Sequence, residues 1–127
     1  MSKQTYHPDR GDIIHLNLSP SAGVELTGPH FAVVISTARF AKATGFAIIV
    51  PATSKFHAEQ RLAGQPLMVK LPDMPKLTRE GWLYPHQVKS IDYRDRGVSF
   101  AAKLDNDDFL IDLMERVRAF IDPDSTN

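Results

Sequence analysis

A carboxylate, Glu25, and an imidazole, His30, lie close together in a stretch rich in turn residues. Side chains of these two types exchange protons near neutral pH, so the pair is a candidate for acid–base chemistry. The stretch, residues 19–30, also holds two Pro, two Gly, Ser and Thr. It is long for a connection between strands, and long loops in small domains are often functional. A solvated surface hairpin is the other reading of the same residues. The remaining histidines are His7, His15, His57 and His86, and no two of the five are four positions apart. No preformed metal site is therefore expected, and with no cysteine any metal would fall to His and carboxylates. His15 reads as structural, His7 and His57 as surface residues. The phosphate-binding glycine motifs, HExxH and GxSxG are absent.

The flanking elements must position that loop. Before it, Asp12, Ile14, Leu16 and Leu18 alternate with Ile13, His15 and Asn17, a two-residue period that predicts a half-buried strand. After it, Phe31-Ala-Val-Val-Ile-Ser is short and β-branched, which predicts a strand covered on both faces. Residues 37–43 read as a turn or two of helix stopped by Gly45. Phe46-Ala-Ile-Ile-Val reads as a buried strand closed by Pro51. Residues 52–66 read as a long mobile loop, and Leu67-Met-Val-Lys-Leu as a strand. Residues 80–84 and 87–91 flank Pro85, giving one bulged strand or two pieces, with Pro85 at an edge or bulge. Val98-Ser-Phe-Ala-Ala is the last strand. Leu110, Leu113, Met114, Val117, Phe120 and Ile121 form one apolar helical stripe, with Asp105 as N-cap and Asp122-Pro123 as the stop.

The 127 residues suit one domain, 1–127, with loose ends at 1–9 and 122–127, and 43% hydrophobic content is enough for a core. Five to seven short strands and a helix predict an α+β, β-dominant fold: a twisted antiparallel sheet or small barrel with a C-terminal helix. No apolar run is long enough to span a membrane, and the N-terminus lacks an apolar leader, so a cytoplasmic location is expected. Net charge is zero, which argues against bulk electrostatic binding of nucleic acid. It is unevenly spread: residues 52–103 carry nine basic and five acidic side chains, residues 104–127 two and seven. The middle is a candidate basic groove for a polyanion, or ordinary solvated surface.

Three ordered blocks resemble the MazF/PemK toxin family, small bacterial ribonucleases of toxin–antitoxin pairs. The first is Arg10-Gly-Asp-Ile, then Pro20, Gly23 and Glu25, then Gly28 and Ala32-Val-Val-Ile-Ser. The second is Val50-Pro-Ala-Thr53-Ser. The third runs from Gly81 through Gln87-Val-Lys-Ser-Ile to Arg94-Asp-Arg-Gly97. Together with the helix they span residues 10–121. The resemblance implies an SH3-like barrel, a homodimer, and metal-independent cleavage of single-stranded RNA at short sequences, leaving a cyclic phosphate or its hydrolysis product. That reaction needs a base for the 2′-hydroxyl, an acid for the 5′-oxygen and donors for the phosphorane.

Carried onto this chain, the resemblance makes Glu25, His30, Thr53 and His86 the catalytic set, with no metal or cofactor. It places RNA contacts at Ser19, Lys55, Tyr84, Gln87, Lys89 and Arg94, with Tyr84 able to stack a base. Two positions depart from the family pattern. His30 stands where an active-site Arg is usual, and His86 where some members have Asp. An imidazole does not reproduce the two-pronged phosphate grip of a guanidinium, but the two histidines, facing one another across a groove, could serve as acid and base. An antitoxin with an acidic, disordered segment is the implied partner. The same resemblance admits a member that has lost cleavage and persists as an antitoxin-binding repressor component, or a gyrase-poisoning toxin of the same fold.

Overall fold

A computed structural model of the chain describes residues 5–77 and 80–123. In chain order the elements are β1 (Asp12–Asn17), β2 (Pro29–Val34), α1 (Ala38–Thr44), β3 (Phe46–Thr53), β4 (Arg61–Leu62), β5 (Gln65–Pro66), β6 (Val69–Lys70), β7 (Trp82–Leu83), a 3₁₀ turn (Pro85–Gln87), β8 (Lys89–Asp92), β9 (Ser99–Lys103) and α2 (Asp107–Ile121). β1, β2 and β3 form the antiparallel centre of the sheet, with Ile13 opposite Val33 and Val33 opposite Val50. β9 lies on the outer edge of β1. β7 and β8 both pair with β3, at its Thr53 and Phe46 ends respectively, and β6 lies outside β7. The expected α+β architecture, mostly antiparallel sheet with a C-terminal helix, is the one observed.

The interruption at Pro85 explains another proline. Sequence reading ends the third strand at Pro51, yet β3 runs through Pro51 to Thr53. The Pro51 carbonyl accepts from the Tyr84 N–H at 2.9 Å, so its polar backbone points towards the β7–β8 side. The two strand pieces are separated there by the 3₁₀ turn, so the N–H that proline lacks has no ladder partner to miss. Pro85 itself opens that turn, which makes two strand pieces of residues 82–92.

Hydrophobic alternation divides the core between the two sheet faces. Ile13, Val33, Val50 and Leu83 face one way and pack with Leu110 and Leu113 of α2. Ile14, Leu16, Leu18, Ala32, Val34, Ile49 and Ile91 face the other way, together with Ala41 of α1 and Tyr93. β1 is thus covered on both faces at its start, where Ile13 and Ile14 are fully buried. β2 is covered on both faces only over Ala32–Val34; Phe31 stays exposed.

Local signals set the helix ends. Thr37 caps α1, and Gly45, at φ +78°, closes it in the left-handed region as expected. The N-cap of α2 is Asn106 rather than Asp105: its side-chain oxygen accepts from Phe109 N, leaving Asp107 and Asp108 in the first turn. The apolar stripe of α2 is buried at Leu110 and Leu113 and runs out into solvent at Ile121.

Three further expectations are corrected. The loop after β3 contains the β4–β5 hairpin, whose turn uses Ala63 and Gly64 at positive φ. The strand expected over residues 67–71 is limited to β6, because β7 offers it only two partners. Residues 5–9 are held, not loose. Tyr6 donates to Asp12, His7 Nδ1 lies 2.9 Å from the Tyr93 hydroxyl, and Asp9 accepts from Ala38 N. Residues 1–4 and 124–127, also expected to be loose, lie outside the described part. Among the described residues no helix is long and apolar enough to cross a membrane.

Candidate active site

Two cavities flank the end of the sheet where β1 finishes, β2 begins and β3 finishes. One, of about 300 Å³, is lined by Glu25, His86, Gln87, Lys89 and Gln60, with Leu18, Leu26, Pro51 and Val88 as apolar wall. The other, of about 360 Å³, is lined by His15, His30, Phe31, Thr53 and Ser54, with Lys76 and Glu80 also on its wall. The expected catalytic residues therefore divide, Glu25 with His86 and His30 with Thr53. The two histidines do not face one another across a single groove.

The loop carrying Glu25 is built from its own hydrogen bonds. Leu18 N donates to Gly28 O across its neck. Ser19 Oγ meets Thr27 Oγ1 at 2.8 Å and accepts from Gly28 N. Ser21 Oγ lies within hydrogen-bond distance of the Leu18 and Leu26 carbonyls. Glu25 Oε1 accepts from Ala22 N at 2.8 Å, which closes the turn. Ser19, expected to contact RNA, is thus occupied inside the loop.

Three outside side chains hold this loop against the sheet. Gln87 Oε1 accepts from Leu26 N at 2.9 Å. Arg96 donates to the Asn17 and Ser19 carbonyls. His30 places Nε2 3.0 Å from Thr27 O and Nδ1 3.0 Å from Ala52 O. Both partners of His30 are backbone carbonyls, which only accept. His30 thus links the loop to β3. Arg96 lies inside the quoted RDRG block, but its partners are backbone carbonyls far away in sequence, and no residue-type signal reveals them.

His86 projects from the 3₁₀ turn with its ring edge-on to Tyr84, centroids 5.2 Å apart. His86 is exposed overall, but desolvation of the ring by its surroundings lowers its pKa below the ordinary histidine value. Tyr84 is only 4% exposed and stacks on His57 on its other side, so its ring has no open face for a base. Burial, then the nearby Glu59 carboxylate, raises the Tyr84 pKa, keeping its hydroxyl protonated. Thr53 Oγ1 accepts from Lys55 N at 3.4 Å, leaving its proton free to donate outward. Lys55 is exposed at the strand end. Arg94 belongs elsewhere: it covers the Tyr93 ring beside Gly45, at the other end of β3 from Thr53. Seven residue steps of strand separate those ends, on the order of 20 Å. Among the described residues no group of three or more His, Asp or Glu is placed to hold a metal ion.

The chain matches, over residues 9–121, the family model described as PemK-like, MazF-like toxin of type II toxin–antitoxin system. It belongs to that family. The endoribonuclease toxin MazF of Escherichia coli K12 is 35% identical over 94 residues, covering 74% of this chain and 77% of that protein. MazF from Deinococcus radiodurans superposes with a TM-score of 0.76 at 30% identity, covering 92% and 98% of the two chains. A crystal structure of MazE–MazF from the same organism gives 0.70 at 25% identity, covering 93% and 98%. In this PemK-like, MazF-like chain Glu25 and Thr53 line neighbouring cavities at one end of the sheet. His30 lies with Thr53 and His86 with Glu25.

Proposed function

We propose that this chain is the endoribonuclease toxin of a type II toxin–antitoxin pair, acting on single-stranded RNA in the cytoplasm. The supporting observation is that Glu25 and His86 line one cavity, with Thr53 and His30 in its neighbour at the same sheet end. His86, biased towards the neutral ring, takes the proton of the attacking 2′-hydroxyl and delivers it towards the departing 5′-oxygen. Glu25, in the same cavity, stabilises the imidazolium formed between those steps. The Thr53 hydroxyl donates to the phosphorane, while Lys55 and Lys89 supply positive charge. His30 acts as a brace for the loop rather than as the second proton carrier. Side chains alone supply this chemistry, and no metal or cofactor is invoked. His86→Ala and Glu25→Ala should each lower cleavage about 10²–10⁴-fold with RNA affinity retained; a variant pair that cleaves at the wild-type rate contradicts these roles.

The reading extends to assembly. We read residues 1–127 as one domain and its sheet as an open SH3-like barrel, with β8 joining β3 off the main strand order. Phe100, 50% exposed on edge strand β9, and Ile121, 80% exposed on α2, suit a homodimer contact. The lysines around the two cavities suit an antitoxin segment rich in acidic residues, disordered until bound.

A further inference from the structure

Phe31 is an aromatic side chain left uncovered at the site. α2 covers Ile13 and Val33 on one sheet face. Two residues along each strand, on that same face, His15 and Phe31 form the next cross-strand pair. The helix does not reach them, and Phe31 stays 42% exposed. His15 presents its ring to Phe31 at 5.4 Å and 75°, an edge-to-face contact that fixes the phenyl orientation. Phe31 also lines the 360 Å³ cavity that holds Thr53, His30 and Lys76.

We propose that Phe31 is the stacking platform for one nucleobase of the RNA, next to the nucleotide whose phosphate meets Thr53. This rests on the endoribonuclease reading above. A flat apolar ring oriented by a T-shaped neighbour and lining a cavity beside the Thr53 hydroxyl matches what an unpaired base needs. Lys76, on the same cavity wall, is placed to neutralise the phosphate that follows that base. Stacking serves every base alike, so Phe31 supplies affinity and alignment, and sequence preference comes from the polar lining. Of the other aromatics near this end, Tyr84 is buried, and Phe56, paired with Trp82 at 4.3 Å, does not line this cavity.

The test uses the full-length protein, a cleavable single-stranded RNA, and a fully 2′-O-methylated RNA of the same sequence as an uncleavable ligand. Phe31→Leu keeps an apolar side chain without a ring, and Phe31→Trp restores a ring. Phe31→Leu should raise KM for cleavage and Kd for the methylated RNA about 5–100-fold with kcat changed far less. Phe31→Trp should return both to within a few-fold of wild type, and its added indole fluorescence should be quenched by the methylated RNA beyond any change seen from Trp82 in wild type. Wild-type KM and Kd in Phe31→Leu overturn the proposal while leaving the endoribonuclease reading standing. Unquenched indole in Phe31→Trp, or weakened binding accompanied by loss of self-association, also overturns it and marks Phe31 as a contact between copies. Wild-type protein that neither binds nor cleaves the RNA overturns both.

Discussion

Gln87 accepts a hydrogen bond from the backbone N–H of Leu26 at 2.9 Å, joining residues 61 positions apart. Leu26 follows Glu25, and Gln87 follows His86. One bond therefore fixes the spacing of the carboxylate and the imidazole that share a cavity. We propose that Gln87 acts as a positioning residue. Gln87→Leu should lower kcat about tenfold or more with little change in KM, since displacement of catalytic groups acts on rate. Gln87→Glu, which keeps an acceptor oxygen, should recover most of it. A Leu variant with wild-type kcat, or one whose loss lies wholly in KM, contradicts the assignment.

The pH dependence of cleavage follows from His86. Desolvation lowers its pKa, so the ring remains a base to a more acidic pH than an ordinary histidine does. The acid limb of kcat should fall as pH drops through that lowered value and should vanish in His86→Ala. Stability has the same sign: the unfolded chain takes up this proton first, so folding weakens as pH falls from the ordinary histidine range through the lowered folded value. A rate profile with its acid limb unchanged in His86→Ala rejects His86 as the base.

Local chemistry was legible in the sequence where local forces decide the structure. The alternation of Ile14, Leu16 and Leu18, the stop at Gly45 and the Leu110–Leu113 part of the helical stripe are set by neighbours in the chain. Strand continuation through Pro51 was not legible, because it depends on a break in the partner strand more than thirty residues away. Side-chain roles were hidden for the same reason. Gln87, Arg96 and His30 act on distant carbonyl or amide groups of the backbone, which no residue pattern records. Of the residues the family resemblance implied, Glu25, His30, Thr53 and His86 line the two cavities at one end of the sheet, whereas Arg94 covers Tyr93 at the other end and Tyr84 is buried.

Asp12 ties the N-terminal segment to the sheet. It is 5% exposed, accepts from Tyr6 Oη and Asp9 N on Oδ2, and meets Lys103 Nζ at 3.1 Å on Oδ1. Asp12→Ala should cost about 1–3 kcal/mol in chemical denaturation, the usual range for stranding buried partners. Burial first, and the Asp12 hydrogen bond second, raise the Tyr6 pKa. Its contribution to stability is therefore complete below the ordinary tyrosine value and is lost as pH rises beyond it. Tyr6→Phe should abolish that alkaline decline; an unchanged decline would show that other groups cause it.

Self-association can be read by sedimentation at micromolar concentration. The exposed Phe100 and Ile121 predict a species of twice the monomer mass. Substituting each by Ser should shift the balance towards monomer. Wild-type protein sedimenting only as monomer contradicts the homodimer.

The central claim is tested most directly by incubating purified wild-type protein with a long single-stranded RNA in EDTA and mapping the ends of the products. The account predicts discrete fragments cut at a short recurring sequence, carrying a cyclic phosphate or its hydrolysis product, and none from Glu25→Ala or His86→Ala. RNA left intact by the wild-type protein, or fragments formed only when a divalent metal is restored, would contradict it.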